Sequence, residues 1–129
     1  MTDRAAVEAW VSGYVRAWRS NAPADIEALF TRDAIYRPTP ASDGWRGRPA
    51  IVDGWLARRD EPGAWTFDWT ILAIDDGVAF VRGVTRYAEP RREYDNLWEL
   101  HFAGDGRVRE YIEWWVDRAT PDPGEPPSA

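Results

Sequence analysis

Cysteine is absent from all 129 residues of the chain, which removes disulfides, thiolate metal sites and cysteine nucleophiles together. Histidine is nearly as scarce. His101 stands alone, so neither a histidine-based metal site nor a two-histidine acid/base pair can be assembled. No apolar run approaches the roughly 18 residues that span a bilayer. The stretch Met1-Thr2-Asp3-Arg4-Ala5-Ala6 opens directly into an amphipathic pattern rather than an apolar signal core, so a cytoplasmic protein without a membrane partner is expected. Blocks of like charge are also missing: the net charge of −6 comes from interspersed arginine and acidic residues, which argues against a nucleic-acid partner. The chemistry left is that of carboxylates, phenols and arginines, with no cofactor and no metal expected.

Tryptophan, by contrast, is abundant, with nine in the chain. Indole is bulky, and its N–H needs a partner when buried, so nine rings exceed what a core of this size ordinarily uses. Some of them are expected to line a cavity. A Trp-rich core or a protein interface is the other reading.

Apolar periodicity predicts three helices. From Thr2 to Ser20, Val7, Trp10, Val11, Tyr14, Val15 and Trp18 fall on one helix face. Asn21-Ala22-Pro23 reads as a stop and restart, with Pro23 early in a second, shorter helix whose inner face is Ile26, Leu29 and Phe30. A short extended piece, Ile35 to Arg37, is halted by Pro38 and Pro40, and Ala41 to Arg46 reads as an exposed loop. The third helix runs from Gly47 to Asp60 with Ile51, Trp55 and Leu56 on one side. Gly54 within it costs about 1 kcal/mol relative to alanine, which points to close packing or pocket space.

Beyond Pro62-Gly63 the period changes to two. Trp65 to Ile74, Val78 to Ala88, Arg92 to Ala103 and Arg107 to Arg118 read as an antiparallel four-strand meander. Pro121 to Ala129 holds four Pro and one Gly in nine residues and is expected to be disordered. The division is thus one domain over residues 1–119 and a Pro-rich tail over residues 120–129. The expected fold is α+β: a cone-shaped roll with three N-terminal helices in the concave face of a curved antiparallel sheet. A hollow between the layers would be the default ligand site.

Tyr14-Val15-Arg16-Ala17-Trp18, Asp25-Ile26-Glu27-Ala28-Leu29-Phe30 with Asp33-Ala34, and Gly47-Arg48-Pro49-Ala50-Ile51 with Trp55 resemble the N-terminal half of nuclear transport factor 2-like (SnoaL-like) proteins. Asn96-Leu97-Trp98-Glu99-Leu100-His101-Phe102, Asp105-Gly106-Arg107-Val108 and Glu113-Trp114-Trp115 are similar to their last hairpin. That superfamily includes ketosteroid isomerases, polyketide cyclases, dehydratases, epoxide hydrolases and members without catalysis, so the resemblance implies fold more sharply than function. Against ketosteroid isomerase it places Tyr14 on the oxyanion-hole tyrosine and Trp55 on a nearby aromatic position. It places Pro38, or Arg37 on a one-residue shift, where the general-base aspartate stands, and Trp98 where the protonated aspartate stands. The isomerase mechanism is therefore not implied for this chain.

The same resemblance turns Val81, Thr85, Trp98, Leu100, Tyr111, Glu113 and Trp115 toward the hollow. It turns Arg82, Arg86, Leu97, Glu99, His101, Glu110, Ile112 and Trp114 outward. The outer set, with Phe80 and Val84, mixes apolar residues with charges of both signs and is expected to form a homodimer interface.

Within the hollow, Glu113 would be a carboxylate among Tyr111, Trp98 and Trp115, and desolvation there would raise its pKa toward the range useful for proton transfer. The other reading pairs it with Arg37 or Arg109. Tyr14 could donate to a developing oxyanion, or serve only as an amphipathic core residue. Asp33 either points into the cavity as a third catalytic candidate or caps a helix end. Trp18, Tyr36, Trp55, Trp98, Tyr111 and Trp115 are the expected substrate-binding walls, whereas His101 faces outward and is left out of the chemistry. These residues suit a cofactor-independent isomerase, cyclase or dehydratase acting on a small apolar or aromatic molecule, or a ligand-binding or dimerising module of the same fold without catalysis.

Overall fold

The computed structural model describes residues 2–120. The tail from Pro121 onward, expected to be disordered, lies outside the described residues. The first helix, α1 (Arg4–Ser20), starts where the Asp3 carboxylate accepts the Ala6 N–H at 2.9 Å. It ends at Asn21, which takes a left-handed conformation (φ 52°) and returns its N–H to the Ala17 carbonyl. Between these caps, Val7, Trp10, Val11, Tyr14 and Ala17 are buried as one stripe.

The second helix, α2 (Pro23–Glu27), is shorter than the periodicity suggests. Phe30, expected on its inner face, instead begins the strand β1 (Phe30–Arg37). The Leu29 carbonyl explains the early stop, because it accepts the Val108 N–H at 2.9 Å and the Trp10 indole N–H at 2.9 Å. The sheet thereby captures the chain before another helical turn can form.

A second departure follows at the expected loop. Residues Trp45–Arg46 form a short strand, β2, antiparallel to β1, with Tyr36 opposite Trp45 and Ile35 opposite Arg46. Stacking of Trp45 on Tyr36, centroids 4.7 Å apart, supplies the cross-strand contact that this pairing needs. The third helix, α3 (Arg48–Ala57), has Pro49 in its first turn and buries Ile51, Val52 and Trp55. Its Gly54 is explained by packing: a Cβ there would sit 2.5 Å from the Trp45 ring.

The remaining strands, β3 (Trp65–Asp75), β4 (Val78–Ala88), β5 (Arg91–Phe102) and β6 (Val108–Asp117), form the expected antiparallel meander. Among the described residues the sheet has six strands in the order β2-β1-β6-β5-β4-β3, with β1 parallel to β6. It is therefore mixed rather than purely antiparallel. Alternation along the strands buries Ala79, Val81 and Thr85 on β4, Trp98 and Leu100 on β5, and Tyr111 on β6, as expected for the inner face.

Helix α1 lies against that inner face through an aromatic cluster. Trp10 sits 6.0 to 6.3 Å from the rings of Phe30, Phe102, Trp98 and Tyr111. Several of the aromatic rings thus fill one end of the space between helices and sheet. The other end stays open.

Candidate active site

The open end is a cavity of about 220 Å³ whose walls come from all the layers: Tyr14 and Trp18 on α1, Tyr36 on β1, Trp45 on β2, Trp55 on α3, and residues of β4, β5 and β6. Glu113 projects into it from β6, directly across the strand pair from Trp98 on β5. Its Oε1 accepts the Tyr111 hydroxyl at 3.0 Å, and its Oε2 accepts the Asn96 amide N–H at 3.2 Å. Asn96 is in turn oriented by Thr85, whose hydroxyl donates to its Oδ1 at 2.8 Å.

Among the described residues no basic side chain forms an ion pair with Glu113. Arg37, one of the expected partners, is engaged by Glu110 on the outer side at 2.9 Å, and Arg109 is exposed. Burial consequently dominates and pushes the Glu113 carboxyl from 4.5 up to about 7. Hydrogen bonding from Tyr111, Asn96 and the nearby Trp98 indole opposes that rise and recovers only part of it. The Trp98 contribution is the weakest, since its Nε1 has no partner of good geometry. The result is a carboxyl near its midpoint at neutral pH, able both to give and to take a proton.

Three phenols stand beside it. The hydroxyls of Tyr14 and Tyr36 share a hydrogen bond of 2.8 Å, and the Tyr111 ring stacks on both, with centroids 5.7 and 4.2 Å away. Burial raises all three phenols well above their ordinary values, and the negative charge of Glu113 adds to the rise. They are neutral donors rather than bases. Tyr14 and Tyr36 line the cavity, but Tyr111 is fully buried behind Glu113. It acts on the carboxylate instead of forming a wall, which corrects the expectation that it touches substrate.

Trp18, Trp55, Trp98 and Trp115 all line the cavity, as expected. Trp98 is deep, at 2% exposure, whereas Trp115 stands at the mouth at 47% and meets Tyr94 edge-on at 5.8 Å. Asp33 does not belong to this group. It is exposed on β1, in a surface groove with Glu27, Arg32 and Arg48. The chain straightens into the sheet from Phe30 instead of continuing as helix, and so carries Asp33 away from the hollow. His101 is on the outer face, where its Nε2 lies 2.7 Å from Glu99.

Sequence reasoning missed several cavity residues. Trp45 belongs to the short strand β2 in place of the expected loop; its only signal in the sequence is Gly54, the vacancy into which its ring packs. Asp60 closes the rim by accepting the Trp18 indole N–H and the Tyr87 hydroxyl, each at 2.9 Å, on the same oxygen. Arg58, Arg59, Tyr94 and Asn96 complete the lining, and Pro38 occupies part of it without offering a carboxylate. Among the described residues, no group of three or more His, Cys, Asp or Glu side chains is gathered to hold a metal. No helix among them is long and apolar enough to cross a membrane.

Residues 11–117 match the SnoaL-like domain family. No curated protein matches the chain. Among solved structures, a protein of Kribbella flavida superposes with a TM-score of 0.70 at 23% identity, over 96% of this chain and 87% of that one. The epoxide hydrolase/cyclase-like enzyme SalBIII, of pyran ring formation in the polyether salinomycin, superposes with a TM-score of 0.71 at 16% identity over 90% and 95%. A ketosteroid isomerase-like protein from Erwinia carotovora does so with a TM-score of 0.63 at 16% identity over 87% and 95%. At these identities the likeness is one of fold.

Proposed function

Because the chain belongs to the SnoaL-like domain family, within the nuclear transport factor 2-like superfamily, we propose that it is a cofactor-independent acid–base enzyme of isomerase, cyclase or dehydratase type. One observation carries this reading: a carboxyl free of any cationic partner, poised near pH 7, at the wall of an aromatic cavity. The catalytic group is Glu113. Tyr14 supplies a neutral phenol for a developing oxyanion, Tyr111 sets the basicity of Glu113, and Trp18, Tyr36, Trp45, Trp55, Trp98 and Trp115 enclose the substrate.

The volume limits the substrate. A cavity of about 150 Å³ accommodates benzene, so about 220 Å³ takes a single ring with a short substituent, and a longer molecule would extend out through the open mouth beside Trp115. Pro38, at the position that the resemblance gives to the isomerase base, offers no carboxylate, so proton abstraction is assigned to Glu113. A set of single-ring β,γ-unsaturated ketones and epoxides tests the proposal. Turnover should follow a pH profile inflecting near 7, and Glu113→Gln should retain fold and binding while losing turnover. Equal turnover in the variant would overturn the assignment, and binding without turnover in the wild type would favour a non-catalytic pocket protein.

A second surface supports self-association. Leu72, Trp114 and Val116 are about half exposed and meet Leu97 and Pro40 in one apolar depression on the outer sheet face. Charges of both signs border it, Arg82 on β4 and Asp95 on β5, the latter bridged by Arg118. We propose that this face pairs with a second copy of the chain about a two-fold axis.

A further inference from the structure

The rim of the cavity carries positive charge that acid–base chemistry at Glu113 does not use. Arg58 and Arg59 follow directly on α3, and both line the cavity and are exposed. Neither takes part in any of the ion pairs among the described residues. The adjacent carboxylate of Asp60 is committed elsewhere, to Trp18 and Tyr87. Arg58 is nonetheless held in place: its guanidinium lies 5.5 Å from the centroid of the Trp45 ring, which is stacked on Tyr36. The indole ring offers the guanidinium no hydrogen-bond acceptor, so the N–H groups stay available for a planar oxyanion.

The position of these charges is specific. The protein as a whole is negative, at −6, yet the mouth of its aromatic cavity presents two arginines against a single carboxylate, Asp60, which is held by Trp18 and Tyr87 and bridged to neither arginine. Deeper in, Glu113 is the only charge-bearing side chain, and when ionised it repels an anion. An anionic head would thus be attracted to the rim and kept from the depth, which orients any ligand that carries one.

We propose that the site takes a small organic anion, its carboxylate or equivalent oxyanion held by Arg58 and Arg59 and its apolar body, about one ring in size, lodged against Trp45, Trp55 and Trp98. This rests on the reading of the cavity as a small-molecule site and adds the ligand's charge and orientation to it. The arginines fix the head, so the opposite end of the molecule is the one delivered to Glu113.

Three ligands of similar size separate the possibilities: phenylacetate, the neutral phenylacetamide, and toluene, titrated calorimetrically and by NMR into the full chain. Phenylacetate should bind roughly 10-fold more tightly than phenylacetamide at low ionic strength, with the advantage shrinking as salt is added. In Arg58→Gln/Arg59→Gln, both side chains being exposed, the fold should persist and the preference for the anion over phenylacetamide should vanish. Equal affinity of the two ligands in the wild type, or a preference that survives in the double variant, would overturn the inference while leaving the pocket intact. Failure of all three to bind at millimolar concentration would overturn the pocket reading and the inference with it.

Discussion

The Tyr111 hydroxyl donates to Glu113 Oε1 at 3.0 Å, from two residues earlier on the same inner face of β6. It is the first of the hydrogen bonds that oppose the effect of burial on the Glu113 carboxyl. In Tyr111→Phe the ionised carboxylate loses that donor while the desolvation stays, so the midpoint should move above its present value of about 7. A carbon-13 NMR titration of the Glu113 carboxyl reads this directly, and an unchanged or lower midpoint would contradict the assigned contact.

Stability should carry the same signature. The folded-state pKa of Glu113 lies above its unfolded value, so between about 4.5 and 7 the native protein holds more protons than the unfolded chain. The group costs nothing below that window. Above it, the buried charge costs on the order of 2–3 kcal/mol, after discounting for its partial access to the cavity. Glu113→Gln removes that cost, so the variant should gain on the wild type as pH rises from 5 to 8. Denaturant midpoints at the two pH values check this, and a constant difference would mean that Glu113 is not desolvated.

Gly54→Ala separates helix propensity from packing. Alanine in α3 gains about 1 kcal/mol of propensity. Its Cβ, however, would fall 2.5 Å from the Trp45 ring, and overpacking of this kind costs roughly 1–3 kcal/mol. A net loss of about 1 kcal/mol is expected, together with displacement of Trp45 from the cavity wall. A rise in melting temperature would show that Trp45 does not pack on Gly54.

The site was legible where it depends on parity. The two-residue period of β5 and β6, with the face taken from the family resemblance, puts Trp98 and Glu113 on one side of the sheet; the register that sets them directly opposite is seen only in the structure. Helix α1 was equally legible, since five buried positions repeat at helical spacing. What failed was long-range. Nothing local states that the Leu29 carbonyl will be taken by Val108 and Trp10, and that capture is what ends α2 early and turns Asp33 outward. Similarly, Trp45 forms a strand only because Tyr36 lies opposite, and Asp60 becomes a rim residue only through Trp18 and Tyr87, respectively 42 and 27 residues away. Pairs that distant leave no periodic trace.

The outer face offers the last test. Trp114 is 46% exposed on β6 and Val116 60%, and Trp115 and Asn96 line both this apolar depression and the mouth of the cavity. A second copy seated here would therefore cover apolar surface and border the site at the same time. Light scattering should give a mass of twice 14.8 kDa for the wild type and 14.8 kDa for Trp114→Arg. Since an exposed ring contributes little to the core, the monomeric variant should remain folded, with its near-ultraviolet circular dichroism altered mainly by the lost indole. A monomeric wild type would remove the interface. A dimer indifferent to the substitution would move it to another surface.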